Sequence, residues 1–586
     1  MANLKSPENP FSSRDFPTLE WVRDQIASDY SVPHQARMDM VSACNMVSSW
    51  FGSPLSMISA NAEFFRQRFK GFHHLQAGVT ERRVQNVKSL LLKCLRQVGL
   101  STKLLPYQAA LNADWQVLYD LLPGRYECTA LSRFMRFCSK AGIDPEAMTD
   151  TVAGAYLEAL RQESLVKDPR TNHQTVCRLW NKMADIVDGW PEVRLVVPRY
   201  DARLYAISDD LIHPDLLVAI EGYLAFLKGD DLFKGLRRPF RPRSIEATRG
   251  NIRRYLSALH HGGFDVGSIR SLEDMTRFAV FERALEWLWD RNGRKPSNGI
   301  GEIAWTIRCV AVKHLRCDEA LAGQYADALE KLRVRRTGLS PKNRAALTQF
   351  DDPVVVKRFL NLPDHLWQLA KKEGTGIRGS LLAQSAVAVE VLTFAPMRLA
   401  NLQNLRIDNH LNWLGDRLHI NIPEAMVKNS VALDYILPPH ASARVKTYIS
   451  DWRDLFFADS NPHLFPGRNG KPKDVSTLRR QIRASIWEHA GIKLTPHQVR
   501  HVAAKLLLDA RPGLYEVVRK LLGHKSLTTT YEHYAGAETQ AAITLYDDVI
   551  LDLKRDAIRP DFHKVRDTEE QAFLDPLNPF CKGKRR

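Results

Sequence analysis

In this chain of 586 residues, the side chains best suited to chemistry are concentrated in the last third. Arg398 and Arg500 offer planar, permanently charged forks that grip a phosphate in a bidentate manner, which a lysine does less well. Lys428 can act as a general acid toward a poor oxygen leaving group. His497 and His524 are imidazoles, a side-chain type whose unperturbed pKa lies near neutrality, so each can donate to a phosphate oxygen or accept a proton. Tyr531 and Tyr534 follow His524 by seven and ten residues, one helical turn apart. A phenol with an ordinary pKa of about 10 is inert as a nucleophile unless positive charge and a base stand near it. Together these types suit phosphoryl transfer, with rigid protein cations on the non-bridging oxygens where other sites use a metal.

Blander readings of the same residues differ in strength. His497 and His501 are four apart and imitate a zinc-binding helix, but Gln498 stands where H-E-x-x-H has its glutamate, and the sequence positions no third ligand. GRNGKPK at 467–473 contains Gly-Lys without the gap and hydroxyl of a phosphate-binding loop, and reads as a turn. Taken alone, Arg398 reads as a helix-start cation able to pair with Asp408, and Lys428 as a hairpin-tip lysine. Their joint occurrence in order favours chemistry.

The elements that must position these groups are mostly helical, because apolar residues recur at three- and four-residue steps. The pattern predicts a mainly α, multi-domain chain. A tail at 1–33 precedes an N-terminal helical region of unassigned role at 34–190 and a linker at 191–232. A helical domain at 233–330 and a basic linker at 331–349 lead to a chemistry-bearing domain at 350–560 and a tail at 561–586. In that last large domain an apolar helix spans Leu381 to Thr393 and a short one carries Leu399, Leu402 and Leu405. Alternation at Leu418, Ile420 and Ile422 and again at Leu433, Tyr435 and Leu437 predicts a hairpin around Lys428.

Composition narrows the partner. Lys and Arg number 83 against 66 Asp and Glu, a net charge of +17 with 44% hydrophobic residues. A folded chain of this charge calls for a polyanion, and nucleic acid is the first candidate. Two stretches concentrate the charge. The segment FKGLRRPFRPRSIEATRGNIRRY, with Ser244 as its expected N-cap, carries eight cations against one carboxylate. Arg237, Arg238, Arg241, Arg243, Arg249 and Arg253 in it, with Arg333, Arg335, Arg336 and Lys342 in the basic linker, are the expected DNA-binding residues. Eight scattered cysteines without a C-x-x-C pair point to a reducing compartment. The N-terminus lacks a signal-peptide core, and the longest apolar run, interrupted by Gln384 and Glu390, is too short for a bilayer span, so no membrane partner is expected.

Four segments, TFAPMRLANLQNLRI, INIPEAMVKNSVALDYILP, TPHQVRHVAAKLLL and LLGHKSLTTTYEHYAG, together resemble the catalytic domain of the tyrosine recombinase (phage integrase) family. The resemblance covers roughly residues 350 to 550 and extends more weakly to a SAM-like core-binding domain at 233–330. It implies that Arg398, Lys428, His497, Arg500 and His524 are catalytic and that Tyr534, or Tyr531 as second choice, is the nucleophile. The family nucleophile most often stands nine residues after the L-G-H histidine, where this chain has His533; Asn401 replaces a frequent acidic residue three after the first arginine. The resemblance further implies cleavage of double-stranded DNA through a 3′-phosphotyrosyl link without cofactor or metal. It implies a homo-oligomer, a tetramer on synapsed DNA, and a cytoplasmic, nucleoid-associated location; the first 230 residues lie outside the resemblance, and arm-type DNA sites, a partner recombinase and an accessory factor are all open as what they bind. Integration, excision and transposition use the same residues. The rival expectations are a type IB topoisomerase-like activity and a non-cleaving architectural DNA binder.

Overall fold

The computed structural model describes residues 16–100, 109–198, 200, 205–229, 239–334, 338–456, 461–534 and 539–557. Arg237, Arg238, Arg335, Arg336 and the tail at 561–586 lie outside the described residues. The chain divides into two compact units, Met1–Arg335 and Arg336–Arg586.

The first unit is helical among the described residues and holds three apolar cores. One gathers residues from Leu19 to Leu95, including the helices His34–Phe51, Ala62–Lys70 and Glu81–Gln97. The second runs from Trp115 to Leu195 around Trp115, Phe134, Tyr156 and Trp180, all fully buried. Side-chain caps start these helices where the sequence offers them: Asn61, Thr80, Asn112, Thr149 and Asp168 each accept a backbone N–H of the first turn. Arg66 ties the first core to the second, because one guanidinium nitrogen donates to the carbonyls of Leu160, Arg161 and Ser164 at the end of the helix Asp150–Glu163.

The third core reaches from Ile207 to Tyr325, and its outline differs from the sequence expectation. Inside the stretch read as a linker, Pro214–Lys228 is a helix that buries Leu216, Ile220, Tyr223, Leu224 and Leu227. Their three- and four-residue spacing was obscured by the Pro- and Tyr-containing run before them. Helix Leu19–Ser28 likewise lies within the expected tail. The basic helix begins at Pro242, two residues before Ser244, because Pro at the first helical position needs no N–H partner.

The second unit packs helices around a three-stranded sheet of order β1-β2-β3: β1 is Leu411–Leu414, β2 Arg417–Ile422 and β3 Leu433–Ile436, all antiparallel. The hairpin of the alternating pattern is β2-β3, with Ile420 opposite Tyr435; β1, four residues long, carries too little alternation to announce itself. Helix Ile377–Phe394 is the only described helix apolar and long enough to cross a membrane, but it is mostly buried in this unit. Two of its buried polar residues are matched there: Gln384 donates to the Tyr448 hydroxyl, and Glu390 pairs with Arg444 at 2.7 Å. That helix is the central rod of the core against which the site is built.

Candidate active site

Apart from Lys428, the residues singled out in the last third come from four separate elements. Arg398 precedes the helix Leu399–Gln403, at the end of the loop leaving the buried rod. His497, Arg500 and His501 sit on the helix Pro496–Ala510, started by a capping box of Thr495 and Gln498. His524 follows the helix Tyr515–Leu522, and Tyr534 ends the helix Leu527–Tyr534. A cavity of about 450 Å³ is lined by Arg398, Asn429, His497, Arg500, His501, His524, Lys525, Thr529 and Tyr534. Five of the six expected catalytic residues therefore converge, with no carboxylate in the lining.

Lys428 is not among the lining residues. It is exposed in the β2-β3 connection, and its neighbour Asn429 borders the cavity instead, donating to the Gly523 carbonyl at 3.2 Å. Tyr435 of β3 fastens the same hairpin by donating to the Leu521 carbonyl at 3.0 Å. Between them, Gly523 has φ 60°, and a Cβ there would stand 2.5 Å from Leu433 Cδ2. Glycine is required both for the left-handed turn and for the approach of the hairpin.

Arg500 is 3% exposed and joins three elements. Its Nη1 donates to the Pro396 carbonyl at 2.5 Å and its Nη2 to the Leu522 carbonyl at 2.6 Å. Arg398 has Nη1 buried without a hydrogen-bond partner. It does not reach Asp408, which pairs with Arg406 at 2.6 Å. Burial first, and the Arg398 charge second, push the Arg500 guanidinium down to about 10. Two cations that destabilise one another, one half-buried and one buried, with no carboxylate between them, are complementary to an anion.

The two tyrosines separate cleanly. Tyr534 is 1% exposed and borders the cavity, with its hydroxyl 2.6 Å from His501 Nδ1. Burial pushes its phenol above the ordinary value, and the Arg500 charge opposes that rise. Tyr531 is 47% exposed and stacks on Tyr515 with ring centres 4.1 Å apart. His524 is oriented by Thr530, whose hydroxyl lies 3.0 Å from Nδ1. His501 was a zinc-helix candidate in the sequence, yet its two ring nitrogens face Tyr534 and Asn343. Its place beside Arg500 and one turn from His497 was the available signal. Lys525, Thr529 and Asn429 carried none beyond their adjacency to the motifs.

The expected DNA-binding cations are distributed differently from their sequence density. Arg249 forms a two-point ion pair with Glu221, and Arg253 pairs with Asp209 at 2.9 Å. Both carboxylates lie upstream of the stretch in which cations outnumbered acids. Arg333 pairs with Glu330 at 3.3 Å, while Arg241, Arg243 and Lys342 are exposed. Exposed pairs of this kind contribute about 0–1 kcal/mol, so phosphate can displace them at small cost.

Residues 364–541 match the description of the phage integrase family. The tyrosine recombinase XerC of Brucella suis biovar 1 (strain 1330) is 32% identical over 149 residues, covering 24% of this chain and 45% of that protein. A tyrosine recombinase of Thermosipho africanus (strain TCF52B) is 33% identical over 164 residues, covering 27% of this chain and 52% of its own length. The chain spans about half the length of the curated relatives it matches. Among solved structures, the XerH site-specific recombinase bound to palindromic difH substrate aligns with 58% of this chain and 98% of its own, at 16% identity and a TM-score of 0.32. Through residues 364–541, this chain is similar to the phage integrase family, and the curated relatives it matches are tyrosine recombinases.

Proposed function

We propose that the protein is a site-specific DNA recombinase that cuts and rejoins DNA strands through a 3′-phosphotyrosyl intermediate. The observation that carries this reading is the cavity in which the half-buried Arg398 and the buried Arg500 meet Tyr534 without any carboxylate. In the proposed reaction a scissile phosphate occupies that cavity, held by the two guanidinium forks and by His497 and His524. The Tyr534 oxygen forms a bond to phosphorus as the bond to the DNA 5′-oxygen breaks. The phenol proton leaves to His497 or a phosphate oxygen, and Lys428 protonates the 5′-oxygen from the hairpin whose Asn429 already borders the cavity. A 5′-hydroxyl of another strand then attacks the phosphotyrosine and restores a phosphodiester. The covalent link conserves the bond energy, so the cycle needs no nucleotide cofactor.

Around this centre, Arg241, Arg243, Arg249, Arg253, Arg333 and Lys342 are proposed to contact duplex phosphates. The protein is proposed to act as a homo-oligomer on synapsed DNA, in integration, excision or transposition of a mobile element. The relatives' name, tyrosine recombinase, favours strand exchange over a type IB topoisomerase reaction. The discriminating experiment incubates the protein, in the presence of a chelator, with a nicked labelled duplex and an unlabelled duplex from the DNA flanking its own coding sequence. Joining of the labelled strand to the other duplex is expected. Relaxation of a supercoiled circle without any such joining would replace the recombinase reading by the topoisomerase one.

A further inference from the structure

The hydroxyl of Tyr534 touches His501, and the direction of that contact is set by a chain of hydrogen bonds that starts at the backbone. The Thr495 N–H donates at 2.9 Å to Gln498 Oε1, so this amide oxygen is an acceptor and Nε2 is the donor end. Gln498 Nε2 donates at 3.2 Å to Asn343 Oδ1. Asn343 then presents its Nδ2, a donor only, to His501 Nε2 at 3.4 Å. An imidazole nitrogen facing an amide N–H must be the unprotonated, accepting one. The other nitrogen of the neutral ring, Nδ1, therefore carries the hydrogen, and it lies 2.6 Å from the Tyr534 oxygen.

We infer that His501 is a catalytic hydrogen-bond donor to the Tyr534 oxygen, held as the Nδ1–H tautomer by the positioning residues Asn343 and Gln498, and is not the base that takes the phenol proton. The inference rests on the reading of Tyr534 as nucleophile and deepens it. With Nδ1–H pointing at the oxygen, the Tyr534 proton is directed away from His501 and into the cavity, where it departs to His497 or a phosphate oxygen as the bond to phosphorus forms. His501 keeps its own proton throughout. A fixed donor stabilises negative charge on the phenolate and restores the same charge when the phosphotyrosine is displaced, so it serves both directions of the reaction. Asn343 sits on the helix Pro341–Thr348, inside the segment read as a basic linker, and through it that helix sets the polarity of the nucleophile's environment.

The test uses the full-length protein labelled with ¹⁵N-histidine, studied by solid-state NMR above the imidazole titration range, with the His501 signal assigned by its loss in His501→Asn. The expected wild-type signal is Nδ1–H, and Tyr534→Phe leaves it in place because the tautomer is set from the Asn343 side. Asn343→Asp, which offers an acceptor to Nε2, moves it toward Nε2–H. An Nε2–H wild type, or a tautomer lost with Tyr534→Phe, overturns the inference. In parallel, covalent adduct formation on nicked DNA is expected to stay within about tenfold of wild type in His501→Asn, whose amide N–H can replace Nδ1–H. It should fall about a hundredfold in His501→Leu and fall in Asn343→Asp. Equal loss in His501→Asn and His501→Leu, or faster cleavage in Asn343→Asp, identifies a base and overturns the proposal. If wild type forms no adduct on any DNA, the nucleophile reading fails, and the wild-type tautomer still decides the hydrogen-bond direction.

Discussion

Replacing Gly523 by alanine perturbs one contact on which the site's geometry depends. Gly523 has φ 60°, and an added Cβ meets Leu433 Cδ2 at 2.5 Å. Leu433 is 2% exposed on β3, so its side chain has little room to retreat. Holding a non-glycine residue in the left-handed region costs about 1–3 kcal/mol, and overpacking a tight core contact about 1–3 kcal/mol more. A local destabilisation of roughly 2–6 kcal/mol follows, concentrated where Asn429 and Tyr435 fasten the hairpin to the turn before His524. Hydrogen exchange by mass spectrometry reads this locally. Amides of Tyr515–Leu522 should exchange at least about thirtyfold faster, the equivalent of roughly 2 kcal/mol. Adding Leu433→Ala removes the clash but not the backbone strain, so the double variant should show a favourable coupling of about 1–3 kcal/mol. Exchange in Gly523→Ala indistinguishable from wild type, with no coupling to Leu433→Ala, would refute the close approach of hairpin and turn.

Three further outcomes follow from the same structure. Arg398→Ala should leave thermal stability within about 1 kcal/mol of wild type, because it removes a partly desolvated cation beside Arg500, while abolishing covalent adduct formation. A large stability loss on melting would show that Arg398 is held for packing. Glu390 is buried, and burial, opposed by Arg444, pushes its carboxyl from 4.5 up to about 7. The folded state therefore holds a proton that the unfolded chain has lost between those values. Stability falls as pH rises through that window, by about 3 kcal/mol at most, and Glu390→Gln should flatten this slope in melts across pH. Glu221→Gln removes the ion-pair partner of Arg249 and should tighten DNA binding at low salt in a fluorescence anisotropy titration, with the difference fading as salt is raised. Equal affinities at low salt would place Arg249 away from the nucleic acid.

Features carried by local spacing were legible in the sequence, and features made by long-range pairing were not. The apolar rod Ile377–Phe394 and the β2-β3 hairpin each announce themselves in a window of a few residues. The motifs around Arg398, His497, Arg500, His524 and Tyr534 were equally visible, and the cavity brings them together. The ion pairing of the cation track was not legible because the partners of Arg249 and Arg253, Glu221 and Asp209, are 28 and 44 residues upstream. His501 looked like a mimic of a metal helix because its partners, Asn343 and Tyr534, lie 158 and 33 residues away. Lys428 stands in the right hairpin, but a loop's position in sequence does not say which of its side chains faces the cavity.

The claim that Tyr534 is the nucleophile of a metal-independent phosphoryl transfer is tested most directly by covalent trapping. Wild-type protein, Tyr534→Phe and Tyr531→Phe are each incubated with labelled nicked DNA and a chelator, then separated under denaturing conditions. Wild type and Tyr531→Phe should both yield a detergent-resistant protein–DNA adduct, because the exposed Tyr531 stacks on Tyr515 outside the cavity. Tyr534→Phe should yield none. An adduct that survives in Tyr534→Phe and disappears in Tyr531→Phe would contradict the account.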